Sequence, residues 1–140
     1  TGKSTIVNIL SSDPRFYQIA DNNIYVKREK KNFFIYKSPF LEWNVHYKGQ
    51  IQPSDKLKLD KIFILYKAKK NEIKITKFEE AIDKIARQIQ LPLGALSSFE
   101  EQESRKLIFD FISKNIQKNI FNLRFQKDSA IIKTIKLNAI

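Results

Sequence analysis

The chain has no cysteine and no methionine, and in 140 residues it carries three glycines, four prolines, one tryptophan and one histidine. Without cysteine there is neither a disulfide nor a thiolate-bound metal, a usage that fits a reducing compartment and leads us to expect a cytoplasmic protein. The lone histidine, His46, has no Asp or Cys near it in sequence and makes neither a metal site nor a catalytic triad; a surface or partly buried side chain is the plainer reading. There is no H-x-E, no paired cysteine and no nucleophile elbow built on serine. No run of about 18 apolar residues is present, so no membrane-spanning helix and no membrane partner are expected. Low-complexity tracts, repeats and linkers are also missing. What is present is a 42% hydrophobic composition with 11 Phe, which suits a packed core and not disorder. The expectation is a single domain over residues 1–140.

Charge of one sign is abundant. The formal net charge is +11, from 21 Lys and 5 Arg against 15 acids. The lysines are scattered through every segment, whereas nucleic-acid binders gather cations on one face and favour Arg for bidentate contacts. The dense clusters are Lys27-Arg28-Glu29-Lys30-Lys31 and Lys67 to Lys70, both at expected turns. A solvated surface is therefore the preferred reading, with nucleic acid an unlikely partner and polyanion binding the alternative.

The opening Thr1-Gly2-Lys3-Ser4-Thr5 matches the closing half of the phosphate-binding loop G-x-x-x-x-G-K-[ST], without its first glycine or the strand that carries it. This predicts the downstream piece of a nucleotide-binding domain, lacking its first strand. In such a loop Gly2 lets the backbone pass close to a phosphate, and Lys3 places its ammonium among the β- and γ-phosphate oxygens. Ser4 offers a hydroxyl to Mg2+, Thr5 a second one near the α-phosphate, and the N–H groups of the following helix face the anion. The alternative is a chance G-K-S-T in a lysine-rich chain.

Along the chain, strands alternate with helices. Residues 4–10 read as a helix, with Ile6, Ile9 and Leu10 on one side, stopped by Asp13-Pro14. Residues 16–20 are a short strand candidate and Asp21-Asn22-Asn23 a turn. Residues 24–28 and 32–37 form a hairpin around a Glu29-Lys30-Lys31 tip. Residues 40–60 have no clear period. Residues 61–67 hold the unbroken run Ile62 to Leu65, expected for a strand buried on both faces. Ile73 and Ile75 mark another strand. Thr76 with Glu79, and Ser98 with Glu101, read as capping boxes, the first opening an amphipathic helix closed by Pro92 and Gly94 and the second opening another long helix marked by Leu107, Ile108, Phe111, Ile112 and Ile116. Phe121, Leu123 and Phe125 alternate as in a half-buried strand, and Asp128-Ser129 leads into a last helix through Ile135. The fold class expected is α/β with one mixed sheet flanked by helices.

Phosphoryl transfer needs cations for the phosphates, carboxylates for Mg2+ and an acid group to accept a proton. Asp21, at the end of an expected strand after the loop helix, is the first such acid; a turn former is its other reading. Glu42, beside Trp43 in the irregular segment, is the second, with a solvated loop acid as its other reading. Trp43 reads as packing. Arg87, on the first long helix, could reach a phosphate, and an exposed helical Arg is the default.

In order along the chain, Gly2-Lys3-Ser4-Thr5 with Ile6 to Leu10, Ile19 to Val26, Tyr36-Lys37-Ser38-Pro39-Phe40 with Glu42, Leu59 to Ala68 and Leu123-Arg124-Phe125 resemble the HPr kinase-like P-loop group. That family also includes the nucleotide core of ATP-dependent phosphoenolpyruvate carboxykinase. The resemblance implies ATP and Mg2+ as ligands, with Lys3 and Ser4 on phosphate and metal. It implies Asp21 as the acid that deprotonates an acceptor hydroxyl or helps hold Mg2+, and Glu42 as a metal-side acid. The family often has two adjacent acids where this chain has Asp21 and Asn22, and its HPr-binding signature is not recognisable here. The function expected is ATP-dependent phosphoryl transfer to a hydroxyl of a protein, a peptide or a small molecule. A non-catalytic nucleotide-binding module and a basic polyanion-binding domain are the alternatives.

Overall fold

A computed structural model describes residues 2–16, 18–19, 24–36, 56–88, 98–115 and 119–137, an α/β arrangement of four helices and two three-stranded sheets. Helix α1 spans Lys3–Leu10 and buries Ile6. Its end is held by the Ser12 hydroxyl, which donates to the Ile9 carbonyl at 2.7 Å. The strand expected over residues 16–20 is not formed by its described members. Asp13 accepts from the Arg15 backbone N–H at 3.1 Å, and the Phe16 N–H donates to the Asp13 carbonyl at 3.0 Å, so the local turn takes the hydrogen bonds that a ladder would need.

Strands β1 (Tyr25–Glu29) and β2 (Asn32–Tyr36) pair antiparallel, from Tyr25 opposite Tyr36 to Glu29 opposite Asn32, around the two-residue turn Lys30-Lys31. Lys30 takes a φ of 54°, the left-handed region a tight hairpin turn demands and glycine usually fills. The third strand is β3 (Lys56–Lys58), on the other side of β2, with Ile35 opposite Leu57. It lies in the stretch for which no element was expected; its three residues are a strand because β2 offers an open edge. The rest of that stretch, residues 40–55, lies outside the described residues.

The second sheet has the order β4 (Ile62–Lys67), β6 (Ile120–Phe125), β5 (Glu72–Ile75). The Ile62 N–H donates to the Asn119 carbonyl and the Ala68 N–H to the Phe125 carbonyl, so β4 runs parallel to β6. Thr76 meets Ile120 while Asn71 meets Gln126, so β5 runs antiparallel to it. The single mixed sheet read from sequence is thus replaced by two sheets, because the hairpin finds its own third strand in β3. On β6, Ile120 and Leu123 point to opposite faces and both are buried, as befits a central strand, and Phe125 is buried as well. Strand β4, expected to be fully buried, is only half-buried along its length.

Helix α2 (Phe78–Ala86) begins one residue past Lys77, with no side-chain cap. Thr76, expected to cap it, is instead buried and continues the line of β5 beside β6. Its N–H donates to the Ile120 carbonyl at 3.2 Å, and its hydroxyl to Asn122 Oδ1 at 2.9 Å. Asn122 in turn donates to Glu80 Oε2 at 2.8 Å. Helix α3 (Ser98–Asn115) carries Glu103–Lys106 and Asp110–Lys114 pairs on its surface, acid before base, the favourable order. Phe78 and Phe109 meet edge to face, with centroids 5.9 Å apart. Asn115 bonds the Phe111 carbonyl and Asn119, which closes the helix. The side chains of Ser98 and Glu101, and the expected stop at Pro92 and Gly94, lie outside the described residues. Helix α4 (Ala130–Leu137) starts where Asp128 accepts from the Ala130 N–H at 3.0 Å.

By compactness the chain divides into two units. The first is Thr1–Asp60, Leu65–Glu72 and Arg124–Ile140, with Ile6, Phe33, Phe125, Ile131 and Ile135 buried. The second is Lys61–Ile64 and Ile73–Leu123, with Ala81, Phe111, Ile112, Ile120 and Leu123 buried. None of the helices among the described residues is long and apolar enough to cross a membrane.

The Thr76–Asn122–Glu80 chain yields a stability prediction. Asn122→Ala strands the Thr76 hydroxyl in a buried position and is expected to cost about 1–3 kcal/mol in urea unfolding, at unchanged denaturant slope.

Candidate functional site

Gly2 is the residue before α1, and its backbone is left-handed, with φ 94° and ψ −1°. A side chain there is excluded twice. The left-handed region disfavours any Cβ. A Cβ built on Gly2 also comes within 3.0 Å of the Phe125 ring at the end of β6. The glycine is therefore required by the close approach of α1 to the strand, whatever the site binds.

From Gly2 the chain turns directly into the helix. The first helical bond runs from the Ile6 N–H to the Gly2 carbonyl at 3.0 Å. The N–H groups of Lys3, Ser4 and Thr5 lie ahead of that ladder. Gly2 has no side chain to cap them, no cap is formed among the described residues, and the first turn contains no acid. The Lys3 and Ser4 side chains are exposed and Thr5 is half-buried. A left-handed residue followed by a helical turn directs successive N–H groups to one side, and the helix dipole adds partial positive charge there. The Lys3 ammonium supplies a whole charge within the same turn. The arrangement suits an oxyanion such as phosphate.

The other end of the α1 segment is also fastened. Asp13 accepts from Arg15 Nε at 2.8 Å and Nη2 at 2.7 Å, and Lys136 on α4 reaches the same carboxylate at 2.6 Å. The Lys136 ammonium lies 6.0 Å from the Phe16 ring centroid. Helix α4 is itself set by Asp128, whose Oδ1 also accepts from Asn71 at 3.1 Å, while Asn71 Oδ1 accepts from the Gln126 N–H at 3.0 Å. The segment from Phe125 to Lys136 thus grips α1 near its first residue and just past its last.

Of the residues expected to carry chemistry, Gly2, Lys3, Ser4 and Thr5 are placed together on one helical turn. Thr1, Asp21, Asn22, Glu42, Trp43 and His46 lie outside the described residues. Arg87 follows the last turn of α2 as an exposed side chain and pairs with Asp83 at 2.5 Å, in the second unit. Among the described residues no group of three or more His, Cys, Asp or Glu is arranged to hold a metal ion. Ser4 Oγ is thus the described donor of the expected Mg2+ set. The roles of Phe125, Asp13 and Lys136 escaped the sequence reading; their only signal was the Asp13-Pro14 stop and the alternation that ends on Phe125. No protein-family model, curated protein or solved structure matches this chain.

Two predictions follow from the anchoring of α1. Gly2→Ala must relieve both the left-handed backbone and the Phe125 contact, and is expected to lower stability by about 1–3 kcal/mol in thermal or urea unfolding. Hydrogen bonds from the Arg15 side chain, and then its N–H, hold the Asp13 carboxyl below its ordinary 3.8, against a smaller opposing effect of burial. A carboxyl lowered in the fold stabilises above its unfolded value and loses that contribution as pH falls through the folded one. Wild type is therefore expected to exceed Asp13→Asn in stability at pH 7, and the gap to close below pH 3.8 in unfolding curves followed by circular dichroism.

Proposed function

We propose that the chain serves ATP-dependent phosphoryl transfer to a hydroxyl, as a domain of HPr kinase-like P-loop type. The observation that supports the reading is the left-handed Gly2 leading into a helical turn that displays Lys3 and Ser4 and has no side-chain cap among the described residues. In this reading Gly2 keeps Cβ atoms away from the phosphates, and the N–H groups of Lys3, Ser4 and Thr5 bind their oxygens. Lys3 orients and neutralises the terminal phosphates. Ser4, Asp21 and Glu42 would hold Mg2+, which supplies charge neutralisation on the phosphate oxygens when bound. The oxygen of the acceptor hydroxyl forms the new bond to the γ-phosphorus, the bond from that phosphorus to the β–γ bridging oxygen breaks, and ADP leaves. Asp21 takes the hydroxyl proton. Such chemistry requires little beyond position and charge, which is what one helical turn and a few side chains provide.

Asn22 favours a second reading, a nucleotide-binding module without catalysis, because an amide cannot take a proton where the family often has a second acid. ATP binding followed by titration calorimetry, with and without Mg2+, tests what the two readings share. Lys3→Ala is expected to weaken binding at least tenfold, and Ser4→Ala to remove the Mg2+ dependence. ATP affinity indifferent to Lys3→Ala would overturn both. ADP formation with a hydroxyl acceptor, lost in Asp21→Asn, separates kinase from silent binder.

A further inference from the structure

The β1-β2-β3 sheet gathers lysines that are far apart in the sequence onto one face with aromatic rings. In the register of the sheet, Tyr25, Tyr36 and Lys56 form one row across the three strands, and Lys27, Phe34 and Lys58 the next. Directly opposed residues share a face, and positions two apart along a strand stay on it. The contacts agree: the Lys56 ammonium lies 4.1 Å from the Phe34 ring centroid and also holds Glu29, which accepts from the Tyr36 hydroxyl. The opposite face carries Val26, Ile35 and Leu57 in one row and Arg28 with the buried Phe33 in the next, so it is the more apolar of the two.

The aromatic face is open to solvent along β1 and β3, and its composition is unusual for an exposed face. Tyr25 is 44% exposed, and Lys27, Lys56 and Lys58 are exposed beside it. The turn adds the exposed Lys30 and Lys31 at the end of the sheet. Among the described residues of these strands and their turn, one acid, Glu29, stands against the five ammonium groups, and its carboxylate is taken up by Lys56 and Tyr36. Aromatic rings set among cations on one sheet face suit a ligand that alternates planar bases with phosphates. A simple polyanion would use the lysines and leave Tyr25 idle. A duplex keeps its bases stacked inside and offers the rings nothing.

We propose that this face binds single-stranded nucleic acid, with Tyr25 as a stacking platform and Lys27 and Lys58 on the phosphates. Binding is tolerant of sequence, since every base has a stacking face. The site is separate from the Gly2–Thr5 turn and does not depend on the phosphoryl-transfer reading.

Fluorescence anisotropy of the whole chain with labelled single-stranded DNA, single-stranded RNA and a duplex of equal length, across a salt series, tests it. The expected result is tighter binding of a single strand than of the duplex, the DNA and RNA arms showing which strand is preferred. Tyr25→Ala should weaken it about tenfold, and Tyr25→Phe should restore it. Lys27→Ala and Lys58→Ala should each reduce the logarithmic salt slope by about 0.7, with Lys106→Ala on α3 leaving it unchanged. Duplex, inorganic polyphosphate or polyglutamate competing as well as the single strand would overturn the proposal. So would undiminished affinity in Tyr25→Ala with an unaltered circular dichroism spectrum.

Discussion

Strand β6 must enter between β4 and β5, whose ends a loop of four residues already ties together. Two strands that flank a third stand about 9.6 Å apart, twice the strand spacing, and the five steps from Lys67 to Glu72 reach about 17 Å. The loop from Ala68 to Asn71 is therefore long enough to arch over the end of β6 without being slack. It is fixed there by the Ala68 N–H on the Phe125 carbonyl and by Asn71 on the Gln126 N–H. Remove β6 and neither β4 nor β5 has a ladder partner in this sheet. The burial of Ile120, Leu123 and Phe125 supplies the apolar free energy that keeps the central strand in place.

The candidate phosphate site inherits its geometry from that strand. Phe125 closes β6 and presses on Gly2, and the chain beyond it runs through Asp128 into α4, whose Lys136 returns to Asp13. A glycine required by packing and a glycine required by a phosphate look alike in sequence. Here the packing requirement is visible in the fold, and the oxyanion requirement rests on what the same turn displays.

Parts of this architecture could be read before any coordinates. The hairpin was legible because two short runs rich in aromatic and β-branched residues flank a charged tip, and α1, α4, β5 and β6 because their periods and breaks are local. Strand β3 was not, since Lys56-Leu57-Lys58 has no pattern of its own and takes its conformation from the open edge of β2. The Thr76 cap failed because a neighbouring strand supplies Asn122, a better partner for a buried hydroxyl than the helix beginning after Lys77. For the candidate site, the tetrad Gly2 to Thr5 announced itself, while Phe125 and Lys136 did not, being more than a hundred positions away. The basic aromatic face was hidden for the same reason, as lysines that look scattered along the chain become neighbours only through strand register.

The insertion of β6 has a consequence for how the chain is made. Synthesis delivers β4 and β5 about fifty residues before the strand that separates them, and two antiparallel segments joined by a short loop would otherwise zip directly together. A nascent chain that did so would have to unzip when residues 120–125 arrived. Helices α2 and α3, which occupy the interval, are local structures that form within microseconds. When residues 120–125 arrive, Asn122 joins β6 to Thr76 beside β5 and to Glu80 on α2.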